Sequence, residues 1–186
     1  MRYFFDCKCI EDGSTIALIS VGIVAEDGRK LYFENAGADL SKAGEWVAKN
    51  VVSKLWSRQP EKREFNAWVR DGGVGGLRTH KEIANEVRMF CDPQTHGIPE
   101  FWRFYETESS REAFRQLIGS LKGLPPDDPM DFRSIKHLWQ DLGNPPLPVY
   151  KDLKHHALAD AQRGKQAWQF LQDEWDRLLD KAKAGN

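Results

Sequence analysis

The first 35 residues contain three apolar segments, at about 2–10, 15–24 and 30–35, which are joined by the short connections EDGS and AEDGR. The segments are rich in the β-branched and aromatic residues that favour strands, and each connection contains Asp-Gly, which is typical of tight hairpin turns. Successive strands joined by such turns run antiparallel. The sequence therefore predicts a sheet that opens with a three-stranded antiparallel meander.

Helical patterns follow the meander. Residues 40–55 carry apolar side chains at helical spacing and predict one amphipathic helix. Capping-box patterns at Thr79–Glu82 and Ser109–Glu112 predict two helix starts. The remaining predicted elements are a strand at 99–106, a short helix at 134–142 and a long helix at about 156–182. Strands first and helices interleaved later indicate an α/β fold with a mixed central sheet flanked by helices.

Residues 57–78 interrupt this pattern with a charged segment that ends in the glycine cluster GGVGG. The glycines match neither a dinucleotide-binding pattern after a strand nor a P-loop, so we interpret them as a hinge. We expect a mobile surface excursion here, within a single domain that spans residues 1–186.

The composition excludes several classes of protein. Lys and Arg total 27 against 28 Asp and Glu, so the whole chain is not a polybasic nucleic-acid binder. No apolar stretch approaches the ~20 residues that span a bilayer, and the N-terminus lacks a signal-peptide pattern. We therefore expect a cytoplasmic protein with no membrane partner. Cys7, Cys9 and Cys91 have no zinc-site spacing and are expected to be reduced thiols.

Asp6 is an acidic residue within the apolar first strand. Because side chains alternate along a strand, Lys8 points to the same face as Asp6, and a charge in such a strand is normally paired, at an edge or part of a site. In KHHALADAQ, His155 lies five residues before Asp160. Two facing acids can hold a divalent cation, and a nearby histidine can deprotonate a water. The alternative is a solvated Asp160 and histidines that belong to a helix start.

Nearly the whole chain outside 57–78 resembles a known enzyme family. The resemblance rests on MRYFFD followed by IEDG, and on ISVGIVAEDGR, PEFWRFY, RQLIG, LPPDDPMDFRSIKHLWQDLGNPPLP and HHALADA. These stretches are similar to the small 3'-5' exoribonucleases of the DnaQ-like (DEDDh) group in the RNase H-like superfamily, in particular to a mycobacterial polyadenylate-trimming group and its phage relatives. The resemblance implies an RNase H-like fold and a nuclease site.

In that family, four acids in the pattern Asp-x-Glu, Asp and His-x4-Asp hold two Mg²⁺ or Mn²⁺ ions, and the histidine is the general base. The resemblance assigns the first acid to Asp6, the last acid to Asp160 and the base to His155, so that Asp6 and Asp160 would be metal ligands. Lys8 stands at the second acid and Ser110 at the third. Two of the four metal carboxylates are therefore replaced.

Two glutamates, Glu106 and Glu108, lie just upstream of Ser110 and are candidate substitutes for the third acid. A helix-capping role for Ser109 or Ser110 is the simpler interpretation of this stretch.

The lysine has the larger consequence. Replacing a carboxylate by an ammonium changes the local charge by two units, and each unit pair at ~4 Å with an effective dielectric of ~20 is worth ~4 kcal/mol. Metal affinity should then fall by orders of magnitude. We expect the Lys8 ammonium to occupy the position of a metal and to pair with Asp6, with Asp160 as a further partner. The alternative is that Lys8 extends to the edge of the cleft.

The favoured hypothesis is an exoribonuclease-fold protein that has lost most or all hydrolysis, holds no metal ion, and binds single-stranded RNA or DNA or a protein partner. Aromatic and basic side chains near the motifs are candidates for base stacking and phosphate contacts, and each has the alternative of an ordinary core or surface role. These candidates are Phe4, Trp102, Arg103, Tyr105 and Arg111.

Two other hypotheses remain. One is an active Mg²⁺- or Mn²⁺-dependent 3'-5' exoribonuclease with a rearranged ligand set that includes Glu106 or Glu108, or with a single ion. The other is a pure interaction factor of a phage or mobile element that binds a protein through residues 57–78. The resemblance also implies a homodimer.

Overall fold

The computed structural model describes residues 1–59, 68, 72–104, 108–119, 132–149 and 154–184. Six strands form one mixed sheet in the order β4-β3-β2-β1-β5-β6. The strands are β1 (Arg2–Glu11), β2 (Ile16–Ala25), β3 (Lys30–Asn35), β4 (Val74–Arg78), β5 (Glu100–Arg103) and β6 (Phe132–Ser134). The helices are α1 (Glu45–Asn50), α2 (His80–Phe90), α3 (Pro93–His96), α4 (Glu108–Ile118), α5 (Ile135–Asp141) and α6 (Ala157–Ala184). This is the predicted mixed α/β architecture, consistent with an RNase H-like fold.

The antiparallel meander is confirmed. β1 pairs with β2 and β2 with β3 in antiparallel register, and the two turns place Gly13 and Gly28 at positive φ, a conformation that glycine adopts without strain. β5 and β6 extend the sheet in parallel on the β1 side, and β4 pairs in parallel with β3. The register shifts between Lys8 and Cys9, at a bulge in β1.

Two layers of helices cover the sheet. On one face, α2 and α4 pack against odd-numbered residues of β1, among them Tyr3 and Phe5. On the other face, α6 and α5 cover the even-numbered residues, so that Phe4 packs against Trp168 of α6 with ring centroids 5.6 Å apart. Asp6 and Lys8 share this second face with Phe4.

The prediction of a single helix at residues 40–55 is wrong. Short 3₁₀ turns at Leu40–Lys42, Val52–Lys54 and Trp56–Arg58 flank the one-and-a-half-turn helix α1. Gly44 and the adjacent β-branched pair Val51–Val52 both disfavour a continuous helix. Two of the apolar residues in this segment are nevertheless buried, because Val51 and Leu55 pack against Ile10 and Ile19.

The hinge interpretation of GGVGG is also wrong. Residues from Val74 onward form β4, in register with β3. Gly75 is required by packing, since a Cβ there would lie 2.0 Å from the Tyr32 carbonyl oxygen and 2.5 Å from the Trp68 ring. The rest of the predicted excursion, residues 60–67 and 69–71, lies outside the described residues.

Most of the remaining helix signals are confirmed. Thr79 and Glu82 form the predicted capping box of α2, and Ser134 caps α5 by accepting a hydrogen bond from the backbone NH of His137. Ser109 and Ser110 are not caps, because α4 already begins at Glu108 and contains both. Within the ranges given above, no helix is long and apolar enough to cross a bilayer.

The approach of α6 to the sheet depends on Gly22. A Cβ at Gly22 would lie 2.3 Å from the backbone nitrogen of Leu158, so Gly22→Ala must push the first turn of α6 outward. We expect this change to lower the free energy of unfolding by about 3 kcal/mol, measured by urea titration.

Gly164→Ala is the matched control within the same interface. Its Cβ would lie 3.5 Å from Cδ1 of Ile135, an ordinary contact, and it would replace glycine inside a helix. Stability should stay constant or rise by about 1 kcal/mol. Equal destabilisation by both variants would contradict the role assigned to Gly22.

Candidate active site

The candidate site lies where the first turn of α6 crosses β1 and β2. Asp6 is the cross-strand partner of Gly22, and the open space above Gly22 admits the α6 backbone at Leu158. Two residues later, Asp160 extends from the same first turn. The strand acid and the helix acid are therefore brought together by a glycine that neither motif contains.

Lys8 lies between the two acids. Its Nζ is 2.7 Å from Oδ2 of Asp6 and 2.6 Å from Oδ2 of Asp160. The three side chains are only 15%, 17% and 9% exposed, respectively. The predicted ion pair is present, with both acids as partners, and the alternative of a lysine extended to the cleft edge is wrong.

Arg163 adds a second cation that the sequence analysis missed. Its Nη2 pairs with the other carboxylate oxygen of Asp160, and its side chain is 14% exposed. The i, i+3 spacing of Asp160 and Arg163 on a helix could have indicated this pair. Two carboxylates are thus matched by two side-chain cations.

Burial and pairing set the protonation of this cluster. Burial raises the pKa of the Asp6 carboxyl, while the charge of Lys8 acts in the opposite direction. Burial lowers the pKa of the Lys8 ammonium, but the charges of Asp6 and Asp160 outweigh it, so that the Lys8 pKa lies above its usual value. Lys8 therefore remains a cation across the physiological pH range.

The two histidines that precede α6 have different environments. His155 adopts a positive φ of 65° and packs edge-on against Trp46, with ring centroids 4.9 Å apart. Burial and the nearby charge of Lys8 lower its pKa, so the imidazole is neutral at neutral pH and able to accept a proton. His156 is buried and stacks on Tyr32 at 4.5 Å, and burial lowers its pKa to about 4.

These groups line one cavity of about 580 Å³, which we call the lysine cavity. Among its described lining residues, three acids are balanced by three cations: Asp6, Glu11 and Asp160, with Lys8, Lys154 and Arg163. His155 and the mostly exposed Trp46 lie at the same cavity. A smaller cavity of about 270 Å³, lined by Phe104 and Leu147, adjoins it through Lys154, Asp160 and Arg163.

Ser110 lies in the first turn of α4, behind the strand that carries Asp6 and Lys8. It is buried, and its Oγ accepts a hydrogen bond from the backbone NH of Cys7 at 3.2 Å. The side chain therefore reaches the strand position next to Asp6, where the resemblance places the third acid. It brings a neutral oxygen that already has a backbone donor.

The described residues do not fit a pair of divalent cations. Among them, no group of three or more His, Cys, Asp or Glu side chains could hold a metal ion. The Asp6 and Asp160 carboxylates are already paired with ammonium and guanidinium groups. Glu108 does not replace the missing acid, because its side chain is 78% exposed and lines a different cavity. Glu106 lies outside the described residues.

The predicted substrate-binding residues separate into two groups. The prediction that Phe4 stacks on a base is wrong, since its side chain is 1% exposed beneath α6. Trp102, Arg103 and Arg111 come together at a second cavity of about 690 Å³. Tyr105 lies outside the described residues.

Removing the central cation tests the ion-pair cluster. We expect Lys8→Met to lower the free energy of unfolding at pH 7 by about 3 kcal/mol, because two buried carboxylates lose their shared partner. At pH 5 the loss should be smaller, since Asp6, whose pKa burial already raises, takes up a proton in the folded state. Urea titrations at both pH values measure this, with Lys8→Arg as the charge-retaining control. An equal loss at both pH values would contradict the cluster.

His156 should make the fold sensitive to acid. Its folded pKa of about 4 lies below the ordinary 6.5, so the unfolded chain binds more protons and stability falls as the pH drops from 6.5 towards 4. The loss attributable to this group reaches about 3 kcal/mol. His156→Phe keeps the aromatic packing and should remove that part of the pH dependence in thermal unfolding. Identical pH profiles for the two proteins would show that the assignment of the proton to His156 is wrong.

Comparison with known proteins identifies the family. No protein-family profile matches the chain. Over 162 residues the chain is 35% identical to a 3'-5' exoribonuclease of Mycobacterium tuberculosis strain CDC 1551 / Oshkosh, and equally to that of strain ATCC 25618 / H37Rv. The match covers 87% of this chain and 88% of each relative. By sequence identity over most of both lengths, the chain belongs to this family of 3'-5' exoribonucleases.

Proposed function

We propose that this protein binds single-stranded RNA in the lysine cavity and has lost most or all of the metal-dependent hydrolysis of its DEDDh family. One observation carries the proposal: the Lys8 ammonium lies within 2.7 Å of both Asp6 and Asp160. In the family pattern these carboxylates are metal ligands, and Lys8 stands where a third carboxylate would be.

The electrostatics favour the lysine over a metal ion. A divalent cation between Asp6 and Asp160 would have to displace an ammonium that is held by two short ion pairs and is largely removed from water. At ~4 Å and an effective dielectric of ~20, each unit of repulsion between the ion and a retained ammonium costs ~4 kcal/mol. Ser110 supplies no compensating charge. We therefore propose that no Mg²⁺ or Mn²⁺ ion binds here at physiological concentrations.

RNA binding does not require the metal ions. Lys154, at the junction of the two adjoining cavities, is exposed and can contact phosphate oxygens, while the mostly exposed Trp46 side chain lines the lysine cavity. The balanced charge of the cavity removes the repulsion that an uncompensated acid cluster would exert on a phosphate. The mycobacterial relatives are exoribonucleases, which favours RNA over DNA as the ligand.

The second candidate is a protein that retains hydrolysis with a rearranged ligand set. The observation that favours it is the neutral His155 at the same cavity as Asp160, which is the state that a general base requires. It would need a carboxylate from outside the described residues, such as Glu106. A protein partner through residues 57–78, a homodimer, a phage origin and a cytoplasmic location stay predictions.

Restoring the family pattern tests the proposal. The time course of degradation of a 5'-labelled oligoadenylate, with Mn²⁺ or Mg²⁺, should show little or no shortening by the parent protein. Lys8→Glu combined with Ser110→Asp should raise the rate by about 100-fold or more, because each ~1.4 kcal/mol of recovered metal affinity is tenfold. A matched DNA strand measures the preference for RNA.

Two controls make the result decisive. Adding Asp160→Asn to the double variant should abolish the new activity, and thermal unfolding with and without Mn²⁺ shows which variants are folded. Parent protein that already shortens RNA from the 3' end, and stops doing so with Asp160→Asn, would overturn the proposal and favour the rearranged enzyme.

A further inference from the structure

A second cavity, which we call the arginine cavity, lies at the carboxyl ends of β5 and β6. Its volume is about 690 Å³, and its described lining residues include Arg103, Arg111 and Arg133. It shares none of them with the lysine cavity. Neighbouring residues in the first turn of α4 line the two cavities: Ser109 lines the lysine cavity and Glu108 lines the arginine cavity.

The ion pairs of Arg111 and Arg133 at this cavity are long and partly exposed. Arg111 is 3.8 Å from Glu108, whose side chain is 78% exposed, and Arg133 is 3.8 Å from Glu100. Ion pairs this long and this exposed contribute little to stability, so a phosphate group can take the place of the glutamate carboxylate beside each arginine. A planar guanidinium binds phosphate oxygens through two parallel hydrogen bonds, which makes arginine the side chain best suited to a phosphodiester.

Aromatic groups stand beside the cations. The Arg133 guanidinium lies over the Trp102 ring, 5.6 Å from its centroid, and both residues line the cavity together with Phe132. Unstacked bases of single-stranded RNA pack against aromatic rings and guanidinium planes. The cavity therefore combines a phosphate-binding charge with surfaces on which a base can stack.

We propose that the arginine cavity is an upstream subsite for single-stranded RNA, which holds a phosphate between Arg111 and Arg133 and the adjacent base against Trp102. The identity of the ligand as RNA rests on the proposed function. A strand whose 3' end lies in the lysine cavity reaches this subsite by crossing the first turn of α4. Strands too short to cross that turn gain nothing from the subsite.

Equilibrium binding of 5'-labelled oligoadenylates of two and eight nucleotides tests this inference, with AMP and inorganic phosphate as competitors. Arg111→Gln and Arg133→Gln should each weaken binding of the octamer by about tenfold, as expected for loss of a charge-assisted contact. Each should also reduce the slope of log affinity against log salt by about 0.7. Binding of the dinucleotide should be unchanged.

Arg115→Gln is the matched control. Arg115 lies one turn further along α4, at 42% exposure, and is 3.8 Å from Glu112, so it reproduces the pairing of Arg111 away from the cavity. It should leave octamer binding unaltered. Thermal unfolding of all three variants shows whether they are folded.

The outcomes separate this inference from the proposed function. Octamer binding that is weakened by Lys154→Gln but not by Arg111→Gln or Arg133→Gln overturns the subsite and leaves the proposed function standing. The reverse result supports RNA binding at the arginine cavity, but it overturns the lysine cavity as the binding site and with it the upstream assignment. Competition by AMP or phosphate at the same concentration as the octamer identifies a site for free nucleotide and overturns the upstream assignment. Parent protein that binds no RNA overturns both.

Discussion

Pairing of the Lys8 ammonium with the carboxylates of Asp6 and Asp160 is the interaction on which the rest of the site depends. The three charged groups are at most 17% exposed, and burying the two carboxylates under the first turn of α6 without a cation would be costly. Removing one partner from such a cluster leaves an uncompensated charge, which costs far more than the net value of the pair. Lys8 thus supplies the positive charge that the two buried carboxylates need at the first turn of α6.

Under the proposed loss of hydrolysis, the same charges account for the persistence of the family fold. A nuclease site with four acids needs divalent cations to hold those acids together, whereas here Lys8 and Arg163 serve that purpose permanently. The resulting cavity is neutral among its described residues and remains open to a ligand. The proposed function thus separates binding from hydrolysis within one fold.

The sequence predicted correctly the features that depend on neighbouring residues in the chain. Strand alternation placed Asp6 and Lys8 on one face, and Asp-Gly turns fixed the meander. Sequence patterns failed where the environment of a residue depends on an element far away in the chain. Phe4 shares a strand face with Asp6, yet the body of α6 buries Phe4, while only the first turn of α6 passes over Asp6. The glycines near residue 75 lie in a strand that pairs with the distant β3, and Trp68 packs closely against them, which no local pattern contains. The role of Gly22 is hidden for the same reason.

The most direct test of the central claim is a titration of the parent protein with Mn²⁺ at neutral pH, in which electron paramagnetic resonance counts the free ion. The account predicts no stoichiometric binding in the micromolar range, because Lys8 already occupies the position between Asp6 and Asp160. A single tight Mn²⁺ site that disappears with Asp160→Asn would contradict it. Such a result would mean that the ammonium yields to the metal, and that the family's chemistry is retained.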